Sequence, residues 1–151
     1  MNDTPESEAR VLLARPLICE DAPKWKYDKL KPGLVSMECG LKHEDESRVG
    51  MHIHLMFARS VKTRIATFKF TVFKMNFGAP QRVYQLQVNA VAHSPKSWHD
   101  LVHEHMGDAR IDGSEVWLKW SFEEALDYFC HRANITLIPP LSDPEIFELT
   151  S

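Results

Sequence analysis

Histidine is the residue type in this chain best suited to chemistry, and two groups of histidines share one spacing. His52 and His54 are separated by a single residue, and His103 and His105 repeat that arrangement. Residues two apart in a β-strand project from the same face, so His52 and His54 would present two neighbouring imidazoles, and His103 and His105 repeat the spacing in a loop. Neutral imidazole nitrogens are good ligands for Zn²⁺. One hypothesis is therefore a divalent-metal site at His52, His54, His103 and His105, provided that the fold brings the pairs together; otherwise they form a polar face and a polar loop.

The second histidine group also suits general acid–base chemistry. Imidazole exchanges protons near neutral pH, and cleavage of a phosphodiester without a metal needs such a group beside a cation. The candidate catalytic residues are His93, His103, His105 and Arg82, with Tyr84 as an orienting hydroxyl. The alternative is that these side chains only hold a loop against a sheet. The sequence leaves open whether the protein is an enzyme.

Positive charge is concentrated in the middle of the chain. Residues 48–96 contain eight Lys and Arg and no Asp or Glu, although the chain as a whole has a net charge of −3. Such a basic centre, interleaved with aromatic residues, suits phosphate neutralisation and base stacking, so RNA or DNA is the expected partner. An acidic protein, or the acidic ends of this chain, could serve equally. The candidate anion-binding residues are Arg64, Lys69, Lys74, Arg82 and Arg110.

Several other classes of protein are disfavoured. The sequence has no phosphate-binding loop, no G-x-G-x-x-G, no G-x-S-x-G and no H-E-x-x-H motif. No apolar run approaches the length of a membrane span, so no membrane partner is expected. The three cysteines, Cys19, Cys39 and Cys130, are odd in number and widely spaced, which predicts free thiols and a cytoplasmic location. The oligomeric state is left open.

The elements that would position these residues follow from apolar periodicity. Alternation predicts four antiparallel strands joined by hairpins, a short fifth strand at 116–120, and a helix that begins at the Ser121/Glu124 capping box. The prediction is one α+β domain: an antiparallel sheet of about five strands, with a C-terminal helix packed on one face. Its segments are an N-terminal helix with Thr4 as its N-cap followed by a loop (1–33), the sheet (34–92), a histidine-rich loop (93–113), a strand and helix with a last short strand at 135–138 (114–138), and a tail in which Ser142–Glu145 can start a terminal helical turn (139–151).

Residues 82–135 carry a partial resemblance to known proteins. A strand is followed by His93-Ser-Pro95, by His103-Glu-His105, and by an aromatic helix that ends on Asn134-Ile135. This order resembles that of some small bacterial proteins and, loosely, that of the TumE-like toxins of toxin–antitoxin modules. The resemblance implies a toxin-like ribonuclease that acts through the histidine segment. The alternative is a non-catalytic interaction factor, related to antitoxin, immunity or phage-defence proteins.

Overall fold

A computed structural model describes residues 3–60, 62–91 and 94–144. Within these residues the chain forms two α-helices and nine β-strands. Two short 3-10 helices, Trp98–Asp100 and Glu115–Lys119, lie in the connections. The elements are α1 (Glu6–Ala14), β1 (Leu17–Glu20), β2 (Lys26–Tyr27), β3 (Leu34–His43), β4 (Arg48–Arg59), β5 (Ala66–Asn76), β6 (Ala79–Ala90), β7 (Val102–Met106), β8 (Ala109–Asp112), α2 (Phe122–Ala133) and β9 (Ile135–Ile138).

All nine strands belong to one open sheet. Its order is β8-β7-β6-β5-β4-β3-β1-β9, with β2 paired to β3. The strands from β3 to β8 pair as antiparallel neighbours, whereas β1 and β9 pair in parallel. The predicted α+β fold with about five strands is therefore wrong, because the structure is mostly sheet with only two short helices among the described residues.

The centre of the sheet was predictable from the sequence. Strands β3 to β6 are 10–12 residues long, and their apolar side chains alternate along the chain. Strands β5 and β6 also bury runs of consecutive residues, 70–72 and 83–86, which include the polar Thr71 and Gln85. Short connections join them into successive hairpins, so the prediction of antiparallel pairing is confirmed. The β5–β6 turn contains Phe77 and Gly78, both with positive φ, and the Phe77 side chain is fully exposed.

The predicted histidine-rich loop is instead partly a hairpin. Strands β7 and β8 extend the sheet over residues that were expected to lack regular structure. The buried side of β7 carries Val102, Glu104 and Met106. Because Glu104 is charged, the sequence lacks the apolar/polar alternation from which this strand could have been predicted. The predicted strand at 116–120 is also wrong, because Glu115–Lys119 forms a 3-10 helix.

Both helices contribute to the core on one side of the sheet. Helix α2 packs Phe122 and Phe129 edge-on against Phe70 at ring-centroid distances of 5.8 and 5.6 Å. Its predicted capping box is present: the Ser121 side chain accepts from the backbone N–H of Glu124, whose carboxylate accepts from the Ser121 N–H. We call the side of the sheet that α2 covers the helix side.

The first helix has a different start from the predicted one. It begins at Glu6, and Pro5 is its N-cap. The predicted cap, Thr4, is fully buried and does not cap the helix. Asp108 accepts instead from the Glu6 N–H at 2.9 Å, which ties the start of α1 to the β7–β8 turn. The predicted terminal helical turn falls mostly on residues 145–151, outside the described residues.

Two cysteines form a disulfide, which corrects the prediction of free thiols. Cys19 of β1 is joined to Cys39 of β3, with Cα atoms 6.4 Å apart, while Cys130 is free. The link closes a loop with a sequence separation of 20 residues, for which the chain-entropy model gives about 3 kcal/mol of stabilisation. Disulfides are rare in a reducing cytoplasm, so this bond does not favour the predicted location. Among the described residues, no helix is both long and apolar enough to cross a membrane.

Candidate anion-binding face

Opposite the helix side, the sheet presents rows of polar side chains that cross several strands. Adjacent strands in register place residues of successive strands side by side on one face. We call this surface the open face and define it by three rows. They are His54–Thr71–Gln85–His105–Arg110, Met56–Lys69–Gln87–His103–Asp112, and His52–Phe73–Arg82.

The two histidine pairs share this face but do not meet. His54 lies on β4 and His105 on β7, with Thr71 of β5 and Gln85 of β6 between them. Three strand spacings separate the pairs by ~14 Å, whereas a shared zinc ion would need every nitrogen about 2.0–2.1 Å away. No group of three potential metal-ligating side chains occurs in the part of the chain that the structure describes. The geometry therefore does not form the predicted joint metal site.

Three of the five predicted anion-binding cations lie on the open face: Lys69, Arg82 and Arg110. Lys74 is on the helix side of β5, where it forms an ion pair with Glu8 of α1. Arg64 is an exposed residue of the β4–β5 turn, with a positive φ of 61°. The basic centre of the sequence is thus divided between both sides of the sheet and a turn.

A β-bulge in β6 sets the direction of Arg82. Val72 pairs with Tyr84 and Phe73 pairs with Arg82, so Val83 is an extra residue without a partner on β5. Because of this residue, Arg82 and Gln85 project from the same face although they are three residues apart. Arg82 Nη1 donates to Gln85 Oε1 at 2.9 Å.

Buried hydrogen bonds hold the middle of the open face in place. Gln85 Nε2 donates to Thr71 Oγ1 at 2.8 Å, and both side chains are almost fully buried. Arg82 also makes a bidentate contact with Asp3, from Nε at 3.0 Å and Nη2 at 2.9 Å. The guanidinium is therefore held from two sides, and its orientation is fixed.

His103 and His105 are brought together as the sequence suggested. Their rings lie 5.0 Å apart and nearly perpendicular. Burial, then the cations Arg110 and Arg82, lower the pKa of His103. Burial, then Arg82 and His103, lower the pKa of His105 to about 4. Both imidazoles are therefore neutral at pH 7. The third predicted catalytic histidine, His93, lies outside the described residues.

The lowered pKa of His105 predicts a loss of stability in acid. An unfolded histidine titrates near pH 6.5, so between about pH 6.5 and 4 the unfolded chain binds more protons. The contribution of His105 to the free energy of unfolding should stay constant above pH 6.5 and decrease as the pH drops towards 4. Denaturant unfolding at a series of pH values measures this. His105→Gln should reduce the fall, whereas His99→Gln, at an exposed site, should not; equal curves for the three proteins would contradict the assignment.

Apolar and aromatic groups border the polar rows. The rings of His52 and Phe73 stack at 5.4 Å between centroids, with an interplanar angle of 27°. Next to Lys69, at the other end of β4 and β5, a groove of about 470 Å³ is lined by Leu34, Met56, Ala58, Ile65 and Thr67 together with neighbouring loop residues. The open face therefore combines cations, hydrogen-bonding groups and apolar surfaces, with the exposed carboxylate of Asp112 at its β8 edge.

A buried charge network on the helix side was missed by the sequence analysis. The Glu104 side chain, 2% exposed, accepts hydrogen bonds from Tyr128 and from Arg132 Nε, the latter at 2.8 Å. Tyr84, predicted to orient a catalytic histidine, points to this side instead. Its hydroxyl is buried and has no hydrogen-bond partner among the described residues. The sequence feature that could have revealed this network is the pair Tyr128 and Arg132, which lie four residues apart on α2. Their partner, Glu104, stands at a buried position of β7.

Comparison with known proteins adds no relative from which a function could be carried over. No family model, no curated protein and no solved structure matches this chain. The resemblance of residues 82–135 to TumE-like toxins therefore stays a prediction. The candidate site stands on its own geometry.

Proposed function

We propose that the protein binds single-stranded nucleic acid, RNA or DNA, on the open face. The observation that carries this proposal is the position of Lys69 and Arg110, which project from the open face and form no salt bridge within residues 3–60, 62–91 and 94–144. Three strand spacings and one step along the strands separate them by ~16 Å. A ligand that neutralises both must be an extended polyanion rather than a single small anion.

Other groups of the open face favour an unpaired strand over a duplex. Neutral imidazoles of His54 and His105 can both donate and accept hydrogen bonds, as the edges of unpaired bases require. The exposed part of the His52–Phe73 stack offers an aromatic surface on which a base can stack. In a duplex the bases are stacked on one another, so these flat surfaces would have no base to receive.

The histidine pair supports binding better than cleavage. A two-histidine ribonuclease mechanism needs one imidazole as the base and one imidazolium as the acid. The lowered pKa values of His103 and His105 leave both rings neutral at pH 7, so a base is present without its acid. We therefore propose binding as the function, and cleavage by a toxin-like ribonuclease becomes an outcome of the test.

The proposal predicts salt-dependent binding to short single strands. Fluorescein-labelled oligouridine and oligothymidine, titrated with the protein by fluorescence anisotropy between about 50 and 200 mM salt, should show a logarithmic slope of roughly −1.4 for two phosphate contacts. A matched duplex should bind more weakly. Gels run on the same samples would reveal cleavage.

Each outcome of this titration has a clear meaning. Binding with the expected slope and an intact oligonucleotide supports the proposal. Cleavage lost on His103→Ala or His105→Ala would establish the ribonuclease instead. If no binding occurs at the lowest salt, the proposal is overturned, and an acidic protein becomes the partner to seek.

A further inference from the structure

One cation of the open face already holds an anionic group of the chain itself. Asp3 makes two nearly parallel contacts with the Arg82 guanidinium, at 3.0 and 2.9 Å, in the fork geometry that arginine also uses for phosphate. The side chains of Arg82 and Asp3 are 15% and 21% exposed, so the pair is partly buried, with one side of it open to solvent.

The residue after Asp3 provides the anchor, so the carboxylate is not needed to hold the chain. Thr4 N–H donates to the Arg82 carbonyl at 3.0 Å, and Thr4 is fully buried. The Thr4 carbonyl lies against Gly107, where an added Cβ would approach it to 2.4 Å. With Thr4 fixed in this way, the Asp3 carboxylate can leave the guanidinium by rotation of its side chain.

The guanidinium would keep its orientation without Asp3. Gln85 accepts from Arg82 Nη1 and is itself fixed by its hydrogen bond to Thr71. Nε and Nη2, the two donors that Asp3 occupies, form one edge of the fork and would become available together. Such a preformed pair of donors matches two oxygens of a phosphate.

We propose that Arg82 forms a phosphate subsite of the open face and that Asp3 occupies it until a phosphate of the bound strand replaces the carboxylate. This inference rests on the proposed nucleic-acid binding and adds its regulation. Asp3 acts as a competitor within the chain, because the ligand must displace it before Arg82 can contribute. His105, whose pKa responds to both Asp3 and Arg82, lies beside the exchanged group.

The test compares two variants that each remove one negative charge. Asp3→Asn removes the competitor at Arg82, whereas Glu8→Gln removes the partner of Lys74 on the helix side. Asp3→Asn should tighten binding of labelled oligouridine by about three- to tenfold, because the bound strand no longer has to displace a carboxylate from Arg82. Glu8→Gln should change the affinity much less.

Equal effects of the two variants, or weaker binding by Asp3→Asn, would overturn the subsite while leaving nucleic-acid binding intact. If no variant binds the oligonucleotide, the proposed function fails, and a titration with inorganic phosphate then tests the subsite separately. In NMR spectra, the Arg82 Nε–H signal should shift at lower phosphate in Asp3→Asn than in the wild type. No shift in either protein would overturn the subsite. If Asp3→Asn fails to fold, the NMR titration of the wild type with phosphate alone tests the subsite.

Discussion

Arg132→Met is expected to lower the free energy of unfolding by about 3–5 kcal/mol, because it leaves the Glu104 carboxylate buried without its cation. Glu104 is 2% exposed and accepts from Arg132 and Tyr128 on the helix side of β7. Glu104 would keep only the hydrogen bond from Tyr128, so most of the cost of desolvating its charge would no longer be offset. Denaturant unfolding followed by circular dichroism measures the change.

Two comparisons separate the buried network from a general effect of charge. Arg10→Met removes an exposed partner of Glu6 on α1 and should change the stability by less than about 0.5 kcal/mol. The double variant Glu104→Met/Arg132→Met removes both charges and should be more stable than Arg132→Met alone. If Arg132→Met unfolds at the wild-type denaturant concentration, the network does not stabilise the helix side as we infer.

Lys69→Glu with Arg110→Glu is expected to weaken oligouridine binding by about tenfold for each reversal at low salt, because each places like charge against a phosphate. The salt slope should move towards zero by roughly 1.4, the loss of two phosphate contacts on a single strand. Fluorescence anisotropy over the same salt series gives both quantities. Neither side chain is in the core, so the fold should persist.

The matched control reverses two cations away from the open face. Arg10→Glu with Lys29→Glu makes the same change in net charge, on α1 and in the turn after β2, and both residues are exposed. If this control weakens binding as much as Lys69→Glu with Arg110→Glu, the attraction arises from net charge rather than from the open face. That result would contradict the position of the site.

The part of the fold that could be predicted is the part set by local pattern. Strands β3 to β6 and helix α2 follow from alternation and from the Ser121 capping box, which need no information from distant residues. The parallel pairing of β1 with β9 joins residues more than 100 positions apart, and short strands of four residues carry little signal of their own. The pairing of these two strands was therefore missed.

The site was predicted in its composition but not in its arrangement. Spacing placed His52 and His54 on one face of a strand but left His103 and His105 in a loop, whereas the structure puts both pairs on the open face. The ~14 Å between the pairs depends on strand order, which spacing does not contain. In the same way, the odd number of cysteines could not reveal that Cys19 and Cys39 lie on paired strands.

The bulge at Val83 also determines where this chain can change in length. Loss of a residue between Tyr84 and Val88 would turn the side chains of one part of β6 to the opposite face of the sheet, because side chains alternate strictly along a strand. Loss of Val83 would only join the pairs Phe73–Arg82 and Val72–Tyr84 into an uninterrupted ladder, and each flanking side chain would keep its face. A single-residue deletion is therefore compatible with the polarity of the sheet at this position, although the Gly107 N–H would lose the carbonyl to which it donates.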